Sequence, residues 1–169
     1  NLLDATHAEF VHPTSFGSSD WQVAREVDKP PQKKTEQFDV DMREDGIDFV
    51  FRLGNVKGGP CFEKAYAMRM GTTTYDGLFD IRMDVKWQPP GLFLYGITVK
   101  PAGANEDQGL ELINLHLLTP NTEFTTHYFY RCSVINTNGN AEIADFWRDV
   151  DIKAFDEDKR IIEAQQNVI

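Results

Sequence analysis

The residues most able to do chemistry lie at the start of the chain, where two histidines and an aspartate are close together. Segment 1–12 reads Asn-Leu-Leu-Asp-Ala-Thr-His-Ala-Glu-Phe-Val-His, and Pro13 follows it. A proline disfavours the helical conformation of the residue before it, so a helix over this segment is expected to end at His12. On a regular helix His7 and His12 would point roughly 140° apart. A break at the proline lets both imidazoles reach one metal ion.

Asp4 lies three residues before His7, so the two side chains share one face of the predicted helix. From that position the carboxylate can accept the second N–H of a metal-bound imidazole, which is a common support for histidine ligands. A His-x4-His spacing also occurs on surface helices that carry two unrelated histidines. The spacing alone leaves both interpretations open.

A further carboxylate of interest lies near the other end of the chain, in a predicted long helix. Asn138-Gly139-Asn140 offers a cap, and Glu142 suits the first turn of the helix. The predicted apolar stripe of this helix comprises Ile143, Trp147, Val150, Ala154, Ile161 and Gln165. Asp158 falls within the stripe, and a buried carboxylate needs a partner because an unpaired buried charge costs several kcal/mol. That partner is either an arginine of the sheet, such as Arg82, or a metal ion.

Three segments resemble motifs of the Rieske non-haem iron oxygenases, in the branch that contains vanillate O-demethylase and related aromatic demethylases. Segment 1–12 resembles the iron motif Asn-x-x-Asp-x-x-His-x4-His. Segment 155–165 resembles the second iron motif, which is an acid pair followed by a helical Glu-x-Gln. Segment 115–129 resembles the hairpin His-x-x-Thr-Pro-x-Thr…His-Tyr-Phe of this branch.

The resemblance implies that His7, His12 and Asp158 bind a mononuclear Fe(II). Such a two-histidine, one-carboxylate site leaves coordination positions open for dioxygen. The resemblance also implies that Asp4 links this iron to an iron–sulfur cluster in a neighbouring subunit, and it includes Asn1 in the same catalytic motif. The implied reaction is oxygen activation followed by hydroxylation of an aromatic compound or of its O-methyl carbon.

The resemblance also implies partners that this sequence does not itself encode. They are a homotrimer, a [2Fe-2S] Rieske cluster and a separate NAD(P)H-dependent reductase. The Cys-x-His and Cys-x-x-His pairs of the cluster domain do not occur in the sequence, and the chain does not begin with Met. We therefore expect residues 1–169 to be the iron-containing catalytic domain of a longer protein, without its N-terminal Rieske domain.

Three aromatic or imidazole side chains are candidates for contact with the substrate. In the resembled branch the position of His116 can face the substrate pocket, whereas a lone strand histidine can also be a hydrogen-bonded core residue. Both interpretations stay open. Tyr95 and Trp147 are predicted to line the same cavity, because they lie on core-facing elements and pockets are mostly apolar and aromatic. His127 is interpreted as structural.

The remaining pattern predicts a sheet. Alternating or continuous apolar segments predict strands at 37–44, 47–53, 78–87, 92–99, 110–118 and 124–134, whereas 62–70 is either a helix or a strand. Successive strands joined by turns imply an antiparallel sheet. The resemblance implies a helix-grip α+β domain, in which a curved sheet wraps around the long C-terminal helix and encloses a cavity.

Composition narrows the class of protein. With 169 residues, 41% hydrophobic and 12% aromatic, the chain is expected to form one ordered domain. The net charge of −10 disfavours nucleic acid and anionic membranes as partners. No apolar run approaches the roughly 20 residues of a membrane span, and no signal peptide is visible. Cys61 and Cys132 form neither a disulfide framework nor a metal box, so a cytoplasmic location is expected.

Two other functions fit part of this pattern. A non-enzymatic helix-grip domain could bind an apolar small molecule without a metal. A zinc hydrolase could use the same three ligands, but it would have no need of a bridging Asp4. The metal content of the purified protein separates the first of these alternatives from an oxygenase.

Overall fold

The fold was analysed in a computed structural model, which describes residues 11, 12, 15 and 35–166. The main elements are β1 (Thr35–Arg43), β2 (Gly46–Val56), α1 (Pro60–Met70), β3 (Phe79–Gln88), β4 (Leu92–Pro101), β5 (Leu110–Pro120), β6 (Thr126–Ile135) and α2 (Glu142–Gln166). A short 3₁₀ helix, Glu106–Gln108, lies in the connection between β4 and β5. No helix in this part of the chain is long and apolar enough to cross a membrane.

Within residues 35–166, six strands form one sheet in the order in which they occur along the chain. Each strand is antiparallel to the next one. The predicted α+β class, with its antiparallel sheet and long C-terminal helix, is confirmed. The chain turns between β5 and β6 at 121–125, where the N–H groups of Asn121 and Thr122 donate to the Thr125 carbonyl.

Segment 62–70, which the pattern left open, belongs to helix α1. Pro60 occupies its first turn, where the missing N–H of proline costs nothing. Gly71 ends the helix in the left-handed region with φ 68°, and its N–H lies against the last carbonyls of the helix. Proline at the beginning and glycine just past the end are the local signals that identify this segment as a helix.

The core lies between the sheet and the two helices. On β3, alternate residues Phe79, Ile81, Met83 and Val85 are buried. Helix α2 places Ile143, Trp147, Val150 and Ala154 against the same face, so these four members of the predicted stripe are correct. Ile161 is 39% exposed and Gln165 is also exposed, so that end of the stripe was predicted wrongly. The apolar contact of α2 therefore ends near Asp158.

The aromatic cluster around Phe79 provides a test of this core. Phe79 is fully buried, and its ring centroid lies 5.5 Å from that of Tyr66 and 4.7 Å from that of Tyr75. Phe79→Ala should lower the free energy of unfolding by about 3–5 kcal/mol, because it leaves a cavity. The matched control is Phe124→Ala in the exposed β5–β6 turn, where the side chain is 70% exposed. Denaturant titration should show a change within about 0.5 kcal/mol for this control; equal losses would contradict the placement of the core.

Candidate active site

His12 and Asp158 lie side by side. The distance from His12 Nε2 to Asp158 Oδ1 is 3.5 Å, and the His12 side chain is only 3% exposed. Two ligand atoms that each bind one metal at about 2.1 Å are separated by roughly 3–3.5 Å, so this distance suits a shared ion. Within the described residues no set of three His, Cys, Asp or Glu side chains could hold a metal. The predicted third ligand, His7, lies outside those residues, as do Asp4 and Asn1.

Glu157 supports the other side of the His12 ring. Its Oε2 atom lies 3.1 Å from His12 Nδ1 and accepts a hydrogen bond of 2.6 Å from the Ser15 hydroxyl. When Nδ1–H donates to this carboxylate, the lone pair of Nε2 faces Asp158. A carboxylate that fixes the tautomer in this way is a common support for a metal-binding histidine. Glu157 is not a member of the predicted apolar stripe, so the sequence pattern did not identify it. Its local signal is the pair of acids beside it, at positions 156 and 158.

The alternative interpretation, in which Arg82 forms an ion pair with Asp158, is wrong. The Arg82 guanidinium forms two hydrogen bonds to Asp84, at 2.8 and 2.7 Å, and both residues belong to β3. Arg82 is exposed, whereas Met83 beside it is buried in the core. Because successive residues of a strand point to opposite faces, Arg82 lies on the side of the sheet away from α2.

His116 is a buried residue of β5 and is 4% exposed. Its Nδ1 lies 2.6 Å from the Tyr128 hydroxyl, and the ring of Phe155 packs edge-on at 5.9 Å. Burial lowers the pKa of His116 to about 4, so the imidazole is neutral at neutral pH. If Tyr128 O–H donates to Nδ1, both groups are satisfied and the ring proton lies on Nε2. The imidazole then keeps one N–H available for a ligand.

The other two predicted ligand contacts also lie on the core side of the sheet. The Tyr95 hydroxyl lies 3.1 Å from the Met83 sulfur, and burial raises the pKa of the phenol. Trp147 is 1% exposed, and its ring centroid is 5.3 Å from that of Phe62. The Trp147 Nε1 atom has no hydrogen-bond partner in the described part of the chain. Contact of either residue with a ligand stays a prediction.

Asp151 is a buried acid that the sequence analysis did not single out. It is 5% exposed and lies four residues after Trp147, on the apolar stripe of α2. Burial raises the pKa of Asp151 from 3.8 to about 6, and a hydrogen bond from the Cys132 thiol offsets part of this increase. The helical spacing of Trp147 and Asp151 could have identified it, because Asp151 interrupts the same stripe as Asp158.

Comparison with known proteins identifies the family of this chain. The sequence model described as "Vanillate O-demethylase oxygenase C-terminal domain" matches residues 1–169. The oxygenase component of dicamba O-demethylase from Stenotrophomonas maltophilia is 30% identical over 79% of this chain and 34% of that protein. The toluene-4-sulfonate monooxygenase system iron-sulfur subunit TsaM1 from Comamonas testosteroni is 24% identical over 100% of this chain and 46% of that protein. The chain therefore spans less than half the length of these curated relatives.

A solved structure shows the same fold. The crystal structure of dicamba monooxygenase bound to 3,6-dichlorosalicylic acid matches with a TM-score of 0.78 and 24% sequence identity. The match covers 99% of this chain and 44% of that one. A second crystal structure, of dicamba monooxygenase bound to dicamba, matches with a TM-score of 0.75 and 23% identity. At this level of identity the likeness establishes the arrangement of sheet and helices.

The burial of Asp151 predicts that the stability of the folded protein depends on pH. An aspartate whose pKa rises from 3.8 to about 6 on folding destabilises the folded state by about 3 kcal/mol once the pH exceeds both values. The unfolded chain loses this proton first, so stability falls as pH rises from about 4 to about 6. Asp151→Asn should therefore unfold at higher denaturant concentration at pH 8, and its advantage should shrink towards pH 4. Asp149→Asn, with a side chain 72% exposed, is the control; an equal change in both variants would contradict the burial of Asp151.

The contact between Glu157 and His12 predicts an effect on metal affinity. Glu157→Gln removes the carboxylate that holds the His12 N–H and should weaken metal binding about 10- to 100-fold. Competition between the protein and a chromophoric chelator for Co(II) measures this affinity without turnover. Glu163→Gln changes an acid on the same helix whose side chain is 66% exposed, and it should leave the affinity unchanged. Equal affinities for all three proteins would show that Glu157 does not support the metal site.

Proposed function

Because the chain belongs to the vanillate O-demethylase oxygenase C-terminal domain family, we propose that it is the catalytic domain of an oxygenase component. The proposed reaction uses dioxygen at a mononuclear Fe(II) site to hydroxylate an aromatic substrate or to remove its O-methyl group. The observation that carries this proposal is the approach of His12 Nε2 to Asp158 Oδ1 at 3.5 Å. The approach brings an imidazole and a carboxylate from distant parts of the chain within the span of one ion.

The proposed iron ligands are His7, His12 and Asp158. The 3.5 Å approach of His12 to Asp158 supports two of these ligands. The Glu157 carboxylate, 3.1 Å from His12 Nδ1, favours the tautomer of His12 that a metal requires. When bound, Fe(II) supplies the redox chemistry that dioxygen activation needs, together with open coordination positions. The role of the protein residues would be to hold that ion in place, with Glu157 fixing the orientation of the His12 ring.

Asp4 and Asn1 complete the proposed catalytic set. Asp4 lies three residues before His7 in the sequence, and we assign it to hydrogen bonding with that histidine and to electron transfer from a neighbouring subunit. Asn1 is assigned to the same motif on the family pattern alone. The electron-transfer role of Asp4 depends on a homotrimer that would bring a [2Fe-2S] Rieske cluster of one subunit to the iron of the next.

The substrate is proposed to bind between α2 and the inner face of the sheet. His116 would donate its Nε2–H, Tyr95 would contribute a hydroxyl, and Trp147 would form an aromatic wall. Toluene-4-sulfonate, for which one relative is named, is an aromatic compound. An aromatic substrate is therefore the class that the relatives and the aromatic lining both favour.

Electrons are proposed to come from a separate NAD(P)H-dependent reductase. The relatives are described as an oxygenase component and as an iron-sulfur subunit of a monooxygenase system, which supports a multicomponent assembly. Dependence on NAD(P)H favours a cytoplasmic location. Net charge −10 argues against nucleic acid as a further partner.

Iron content and turnover test this proposal together. His7→Ala and Asp158→Ala should each abolish iron binding and aromatic product formation, because each removes a ligand. Asp4→Asn should retain the iron yet slow product formation sharply, since the ligands stay in place. Asp156→Asn, an exposed neighbour of the same helix, is the control and should retain both iron and turnover. The protein should be purified without oxygen, analysed for metals and assayed with its reductase and methoxylated aromatic compounds.

The same measurements decide between the proposal and its alternatives. Tight binding of an aromatic compound by protein that never acquires iron would favour the non-enzymatic carrier. Zinc in place of iron, together with an Asp4→Asn variant of full activity, would favour a hydrolase.

A further inference from the structure

Three buried polar atoms at the centre of the domain have no hydrogen-bond partner in the described part of the chain. They are Asn114 Oδ1, Trp147 Nε1 and Asp151 Oδ2. Native interiors pair nearly all buried polar atoms, since each unpaired one is destabilising. Two acceptors and one donor in one region, all without a partner among the described residues, mark a position where a further polar group can bind.

The sheet register places Asn114 beside the candidate substrate site. Asn114 and His116 alternate along β5, so both point to the face that α2 covers. Their partners across the strand pair are Cys132 and Tyr130. The Asn114–Cys132 pair thus lies about 7 Å along the sheet from the His116–Tyr130 pair.

Helix α2 lies over the same two residue pairs of the sheet. The ring of Phe155 packs against that of Tyr130, with a centroid separation of 4.4 Å. Asp151 lies one helical turn earlier, and its carboxylate accepts a hydrogen bond from the Cys132 thiol. Asp151 therefore lies over the Asn114–Cys132 pair, on the inner face of β5 and β6.

Trp147 lies one further turn back along α2, on the same buried stripe. Asp158 lies two turns in the other direction, which is about 10 Å along the helix axis from Asp151. We call Asn114, Trp147 and Asp151 the acceptor cluster. Its member nearest to Asp158 along the helix, Asp151, is separated from the candidate metal centre by roughly the length of a substituted aromatic ring.

The chemistry of the acceptor cluster selects its occupant. A hydroxyl group can donate to the Asp151 carboxylate and accept from the Trp147 N–H, and an ammonium group can donate to both Asp151 and Asn114. A carboxylate offers acceptors only and would add a second negative charge beside Asp151. Within the described residues no lysine or arginine side chain is buried. The neutral imidazole of His116 supplies no compensating charge.

We propose that the acceptor cluster binds a hydroxyl or ammonium substituent of the aromatic ligand and discriminates against ligands that place a carboxylate there. This inference depends on the proposed function, because it requires an aromatic ligand between α2 and the sheet. It also gives that ligand an orientation, in which the reacting group lies towards Asp158 and a hydrogen-bond donor lies towards Asp151.

Calorimetric titration of the iron-loaded intact protein, without oxygen, tests this selectivity. The probes are meta-methoxyphenol, meta-methoxybenzylamine and meta-methoxybenzoate, which share a ring and differ in the polar substituent. The phenol and the amine should each bind about tenfold more tightly than the benzoate, because only these two probes can donate a hydrogen bond to the Asp151 carboxylate.

Two variants separate the contributions of Asp151 and Trp147 to ligand binding. Asp151→Asn should weaken binding of the amine about tenfold and tighten binding of the benzoate, because the negative charge is gone. Trp147→Phe keeps an aromatic ring without the N–H, so it should weaken binding of the phenol and leave the amine unaffected. Asp149→Asn is the matched control on the exposed side of α2. Circular dichroism and thermal unfolding of each variant verify that the fold is retained.

Tightest binding of the benzoate by the unaltered protein would overturn the inference, and so would an amine-to-benzoate affinity ratio that Asp151→Asn leaves unchanged. If either result occurs while the protein holds iron and converts an aromatic substrate, only this inference fails. Failure of all three probes to bind also overturns it. The proposed function fails as well only if iron and aromatic turnover are absent.

Discussion

The arrangement of this domain depends on one buried imidazole held between two carboxylates. His12 contacts Glu157 at 3.1 Å and Asp158 at 3.5 Å, across 145 and more residues of chain. Two acids side by side in a partly buried position repel each other unless a donor or a cation lies between them. The imidazole N–H meets this requirement for Glu157, and a divalent ion would meet it for Asp158. The same contacts connect His12 to α2.

Helix α2 has two roles that oppose each other energetically. Its apolar side chains, such as Ile143 and Val150, stabilise the core. The acids at positions 151 and 158 lie on the same side, two turns apart, and they interrupt that contact. The raised pKa of Asp151 shows that folding works against its ionised form. Such unfavourable groups are retained at functional positions, where a ligand or an ion makes use of them.

The inner face of β5 is likewise divided into an apolar part and a polar part. The inner face of β5 begins with the buried apolar residues Leu110 and Leu112 and continues with Asn114 and His116. The apolar part packs with β3, β4 and the helices, so it supplies most of the rigidity. The polar part faces the end of α2 that carries the acids. A rigid apolar support beside a polar surface is suited to orienting a small ligand relative to the metal site.

The sequence by itself determined the elements and their faces, because alternation along strands and helical spacing are local properties of the chain. The six strands, α2 and the inward position of His116 follow from such patterns. Only the tertiary structure decided how far each face is covered. Ile161 continues the helical stripe but is 39% exposed, because none of the strands and helices that the structure describes covers that turn. Glu157 lies off the stripe, yet it meets His12, since that contact depends on a residue 145 positions away. Periodicity identifies which side chains share a face, whereas long-range packing determines which of them meet a partner.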